Sequence, residues 1–125
     1  MKRNWDTIRE ILTKLEENTT PNRMLQLSSF SPEQEAEISY HAELLLEAGL
    51  VDGEMTKMCG RGPHNFSITR LTWHGHEFLD AINNDTVWEK TKKSFVASGV
   101  SMTFELIKSV ATEAASSLIK SALGN

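Results

Sequence analysis

Cys59, His64, His74 and His76 are the residues whose types first suggest chemistry, with His41 elsewhere in the chain. A zinc site built from cysteine and histidine needs about four converging ligands. His74 and His76 stand two apart in a stretch with helical spacing, where side chains diverge by about 200°. That is poor chelating geometry, and no metal is expected. Cys59 lies beside Arg61 and near His64, cations that favour a thiolate. A reactive thiol still needs a base and an oriented partner, and nothing in the sequence supplies them. There is no nucleophile elbow, phosphate-binding glycine loop, paired-acid motif or dinucleotide fingerprint. The expectation is a protein without enzymatic activity and without a cofactor.

Charge placement says more. From Ser31 to Gly53 the chain carries Glu33, Glu35, Glu37, Glu43, Glu47 and Asp52, and neither Lys nor Arg. Helices that read DNA present Arg, Lys, Asn or Gln to base edges, and phosphates repel an acidic face. Glu35, Glu37, Glu43 and Glu47 are therefore candidates for contact with an unidentified protein partner. A second cluster has the opposite sign. Lys57, Arg61, His64 and Arg70 surround a glycine-rich loop, with Glu54 read as the only nearby acid. Such a loop can track a phosphate backbone or a minor groove. Its few cations predict weak, nonspecific DNA binding at most.

Local patterns place these residues on elements. Trp5, Ile8, Ile11, Leu12 and Leu15 form a helical stripe over residues 4–17, with Asn4 as N-cap and Asp6 in the first turn. Leu25 and Leu27 alternate with polar neighbours, as in a short strand over 23–30. Ser31, Pro32 and Gln34 form a helix start, and the helical pattern runs to Ala48 before the Gly49 stop. That span reads either as one helix or as two, with a break near Ile38 and Ser39 as second cap. Residues 50–58 and 66–72 read as strands about a Gly/Pro loop, with a turn or bulge at Asp52-Gly53. In the second strand Phe66, Ile68 and Arg70 share one face, and Ser67, Thr69 and Leu71 the other. Thr72 is read as the cap of a helix carrying Trp73, His76, Phe78, Leu79 and Ile82, with His76 as a buried polar residue at its start. A further helix spans Thr86 to Ser98 and stops at Gly99. Residues 102–123 form the longest pattern, with a broad apolar face and few charges.

The chain has 125 residues, Lys+Arg 13 against Asp+Glu 17, and a net charge of −4 with neutral histidines. An overall basic nucleic-acid coat is excluded by that balance. One cysteine rules out an intrachain disulfide framework. No apolar run approaches the roughly 20 residues that span a bilayer. The expected setting is a reducing cytoplasm, with no membrane association.

The order helix, short strand, helix, strand, loop, strand, helix is that of a winged helix. The stretch from Ile38 to Val51, Ile-Ser-Tyr-His-Ala-Glu-Leu-Leu-Leu-Glu-Ala-Gly-Leu-Val, looks like the third helix and first wing strand of bacterial winged-helix regulators. Paired with Leu71-Thr72-Trp73-His74-Gly75-His76-Glu77-Phe78-Leu79-Asp80, it resembles an uncharacterised bacterial and phage family, domain of unknown function 2513. Met1-Lys2-Arg3 and Ile8-Arg9-Glu10-Ile11-Leu12 fit the same family. The resemblance covers roughly residues 1–92. It implies a winged-helix fold and a phage or prophage setting, and supplies no activity.

The resulting expectation is an α+β protein, mainly helical with a small antiparallel hairpin. Residues 1–84 are assigned to a winged-helix domain and 85–125 to a helical extension. That extension is expected to form a homo-oligomer through Ile107, Val110, Ala111, Ala114 and Leu118, whose spacing suits a helix–helix seam. The expected function is a protein-interaction and regulatory module. An oligomeric DNA-binding regulator with a basic wing is the rival reading.

Overall fold

The computed structural model describes residues 1–18, 23–56, 60 and 62–124. It is mainly helical, with a two-stranded antiparallel sheet. Two compact units divide the chain between His76 and Glu77, where the sequence reading drew its boundary after residue 84.

The first unit, Met1–His76, opens with helix α1, Trp5–Glu17. Asn4 Oδ1 accepts the N–H groups of Asp6 at 3.0 Å and Thr7 at 3.3 Å, so the expected cap forms. Ile8, Ile11, Leu12 and Leu15 are buried on one face. Leu25 then pairs with Ile68 through two backbone hydrogen bonds of 2.9 and 3.0 Å. The short strand expected over 23–30 goes no further than this bridge. Leu27 turns into a single 3-10 turn, Leu27–Ser29, because Asn65 Oδ1 takes its N–H at 3.1 Å.

One further 3-10 turn, Pro32–Gln34, leads into helix α2, Glu35–Glu47. This helix is continuous through Ile38, so the two-helix alternative is not what forms. Ser39 does not cap. Its hydroxyl donates to the His64 carbonyl at 2.7 Å and ties α2 to the hairpin. Ala48 is the C-cap, and Gly49 at φ 72° turns the chain out of the helix.

Strands β1, Val51–Thr56, and β2, Asn65–Leu71, pair antiparallel. Asp52 faces Arg70 while Gly53 faces Ile68, so Thr69 is an extra residue in β2. The bulge explains a departure from strict alternation. Beyond it Leu71 is buried together with Phe66 and Ile68, and Arg70 faces solvent.

Helix α3, Trp73–Ile82, starts where Thr72 Oγ1 accepts the Gly75 N–H at 3.1 Å and donates to the Gly49 carbonyl at 2.6 Å. Trp73 and His76 were expected among its anchors. Trp73 is instead 76% exposed, and the His76 ring stands in solvent 4.0 Å from the Glu16 carboxylate. The inward face of α3 holds Gly75, Phe78, Leu79 and Ile82, and Trp73 lies about 200° round the helix from Gly75.

The second unit, Glu77–Asn125, contains the rest of α3 and two long helices. Helix α4, Asp85–Ser98, is capped by Asn84 Oδ1 on the Val87 N–H at 3.0 Å and ends at Gly99. Helix α5, Phe104–Ala122, is capped by Thr103 Oγ1 on the Leu106 N–H at 3.3 Å. A short connection between them makes an antiparallel pair. The core of this unit is Phe78, Leu79, Ile82, Val87, Trp88, Phe95, Ile107 and Ala111. Phe78 stacks on Phe104 with ring centroids 4.7 Å apart.

Candidate interaction surface

The acidic residues of α2 do not act as one patch. Buried positions Ile38, Ser39, His41, Ala42 and Leu45 define the inner face. Tyr40 stands on the outer face, and Glu43 and Glu47 follow it by three and seven residues, so they share that face. Glu35 lies five residues before Tyr40, toward another side of the helix. Glu37 is engaged within the fold: it accepts a hydrogen bond from the Thr7 hydroxyl of α1. The Tyr40 ring meets His41 edge-on at 5.3 Å. Tyr40, Glu43 and Glu47 thus form a half-buried aromatic with two carboxylates beside it. Neither Lys nor Arg occurs between Ser31 and Gly53.

The basic cluster about the hairpin loop is described only in part. Lys57 and Arg61 lie outside the described residues, as does Cys59. Arg70 pairs with Asp52 at 2.7 Å, directly across the hairpin. Sequence reading named Glu54 as the only nearby acid and overlooked Asp52, because the register that opposes it to Arg70 depends on the bulge. The pair is exposed and contributes little stability, yet it balances the charge of that guanidinium. His64 lies just before β2, with its carbonyl held by Ser39. Among the described residues no three His, Cys, Asp or Glu side chains converge as metal ligands.

The expected seam on α5 is divided among three environments. Ile107 and Ala111 are fully buried in their own unit, so these two cannot meet a second copy; that part of the expectation is corrected. They point inward because the turns nearest the α4–α5 connection pack on α4. Val110 and Ala114 are half-buried and line a groove of about 760 Å³ between α4 and α5. Leu118 is half-buried, whereas Ile119 and Leu123 are exposed. Sequence reasoning missed the lysines of that groove, Lys90, Lys93 and Lys120.

The family described as hypothetical protein (DUF2513) matches residues 2–101, and the chain belongs to it. The match takes in all of the first unit except Met1, and α4. An uncharacterized protein of Haemophilus influenzae is 39% identical over 111 residues, covering 89% of this chain and 92% of its own. A match of that length extends past residue 101, into α5. No solved structure matches. Among the described residues, no helix is long and apolar enough to cross a membrane.

Proposed function

We propose that the first unit is a winged-helix module of regulatory function, working in a bacterial or phage-borne cytoplasmic setting. Its outward α2 face docks on a protein. The observation that carries this reading is the outer face of α2, where Tyr40 stands with Glu43 and Glu47 on a helix that has no Lys or Arg of its own. In a DNA-binding winged helix this face would meet phosphate and base edges. Two carboxylates there oppose such contact and complement a basic protein surface. Tyrosine supplies contact area at low conformational cost, as interface anchors do. The order of α1, the Leu25 bridge, α2, the hairpin and α3 supports the winged-helix reading.

Self-association through α5 belongs to the same proposal, moved from the buried seam to the exposed Ile119 and Leu123 near its C-terminal end.

A photo-crosslinking residue at Ala36, one turn before Tyr40 and exposed, tests the docking face in cells. A discrete protein adduct is expected. It should vanish in the Glu43→Lys/Glu47→Lys variant while thermal unfolding stays unchanged. An adduct indifferent to both substitutions, or crosslinks to nucleic acid alone, would refute the reading.

A further inference from the structure

We infer that the α4–α5 groove of the second unit binds the phosphate backbone of duplex nucleic acid through Lys90, Lys93 and Lys120. The three ammonium-bearing side chains line one groove, with Glu113 as its single carboxylate. The other lysines of these helices are engaged elsewhere. Lys92 pairs with Glu89 at 3.2 Å, and Lys108 lies over the Phe104 ring at 5.3 Å. Among the described residues, no carboxylate comes within 4.0 Å of Lys90, Lys93 or Lys120. A chain with a net charge of −4 thus gathers three cations against one carboxylate in one concave place.

The lining selects the ligand. Val110 and Ala114 are its apolar members, and neither offers the deep pocket that anchors a peptide side chain. The absence of aromatic rings from the lining removes the stacking platform that holds single-stranded bases. Arginine, the residue suited to bidentate capture of one phosphate, is absent as well. Lysines on flexible stems act as point charges and suit a repeating anion. At about 760 Å³ the groove is much larger than one phosphate fills. A duplex backbone presents evenly spaced phosphates with its bases stacked inside, so point-charge contacts suffice and sequence is not read. The inference concerns a different unit from the proposed docking face of α2 and stands or falls apart from it.

The test is fluorescence anisotropy of a labelled duplex of about 20 base pairs and arbitrary sequence, titrated at salt from about 50 to 200 mM. Three phosphate contacts contribute a log–log salt slope of about −2.7, an affinity loss of about 40-fold across that range. In Lys90→Gln/Lys93→Gln/Lys120→Gln the loss across the same range should be smaller by about that factor, with an unchanged circular dichroism spectrum. Lys108→Gln, which removes an equal charge outside the groove, should bind as the wild type does. Glu113→Gln should bind more tightly. The inference is overturned if the wild type does not bind the duplex at the lowest salt. It is equally overturned if the triple variant behaves like Lys108→Gln, or if a single strand of equal length competes as well as the duplex.

Discussion

The backbone N–H of Asn4 donates to His41 Nε2 at 2.7 Å, joining the start of α1 to the middle of α2. The other ring nitrogen, Nδ1, lies 2.7 Å from the Glu37 carbonyl oxygen and donates to it. A backbone N–H can only donate, so these two contacts fix the ring as the Nδ1–H tautomer. Asn4 therefore does two things: its side chain caps α1, and its main chain anchors that cap to α2.

Replacing His41 tests this anchor. The ring is fully buried and both nitrogens are engaged. His41→Ala leaves a cavity and an unpaired Asn4 N–H, and should cost about 2–4 kcal/mol in urea unfolding. Asn4→Ala removes only the side-chain cap and keeps the main-chain bond, so it should cost about 1 kcal/mol. Equal losses would mean that the cap, not the histidine, holds the two helices together.

Gly75 is the second point of close approach. A Cβ there would stand 1.9 Å from the Leu50 carbonyl oxygen and 3.0 Å from its carbon, both backbone atoms that cannot swing aside. Alanine normally favours a helix over glycine by about 1 kcal/mol. Here Gly75→Ala should destabilise instead, by about 2 kcal/mol or more, because α3 must move off the β1 end of the hairpin. A variant as stable as the wild type would show that α3 does not need this contact.

The outer face of α2 should behave in the opposite way. Glu43→Lys and Glu47→Lys replace carboxylates outside the buried face of α2, and neither carboxylate holds α1 as Glu37 does. Each lysine substitution should change unfolding free energy by no more than about 0.5 kcal/mol. Tyr40→Ala should cost more, because the ring packs edge-on against His41. A large loss in the lysine variants would place these carboxylates in the fold, not in docking.

How much was legible followed from the range of each interaction. Caps at Asn4 and Thr72 and the stops at Gly49 and Gly99 depend on neighbours a few residues away, and the sequence displays them. The bulge is signalled by Asp52-Gly53 in β1, where the register shifts, but the residue it leaves over in β2, Thr69, depends on how the two strands pair, and a strict alternation over Phe66 to Leu71 hides it. Arg70 looked like a free cation for that reason. Trp73 looked like an anchor because it is large and apolar, whereas the side of α3 that turns inward is marked by the smallest residue, Gly75. The lysine groove joins residues of two helices, so neither helix alone shows it.

Helix α5 supplies the last test, because its apolar residues fall into an inner and an outer set. Ile107 is fully buried, and Ile107→Ala should lower the stability of the second unit by about 2–5 kcal/mol. Ile119 and Leu123 are 60% and 73% exposed, so charged replacements there cost the isolated chain little. Helix α5 has 19 residues against 14 in α4, a difference of five, or about 7.5 Å of helix. The C-terminal turns thus extend past the length α4 can cover, and Ile119 and Leu123 lie there. If a second copy covers these two side chains, Ile119→Lys/Leu123→Lys should convert an oligomer to a monomer with an unchanged melting temperature of the monomeric fold. Sedimentation velocity of both forms at several concentrations reads the outcome. A wild type that sediments as a monomer at the highest concentration would show that α5 serves its own unit alone. A double variant that unfolds would place Ile119 and Leu123 in the core, against their exposure.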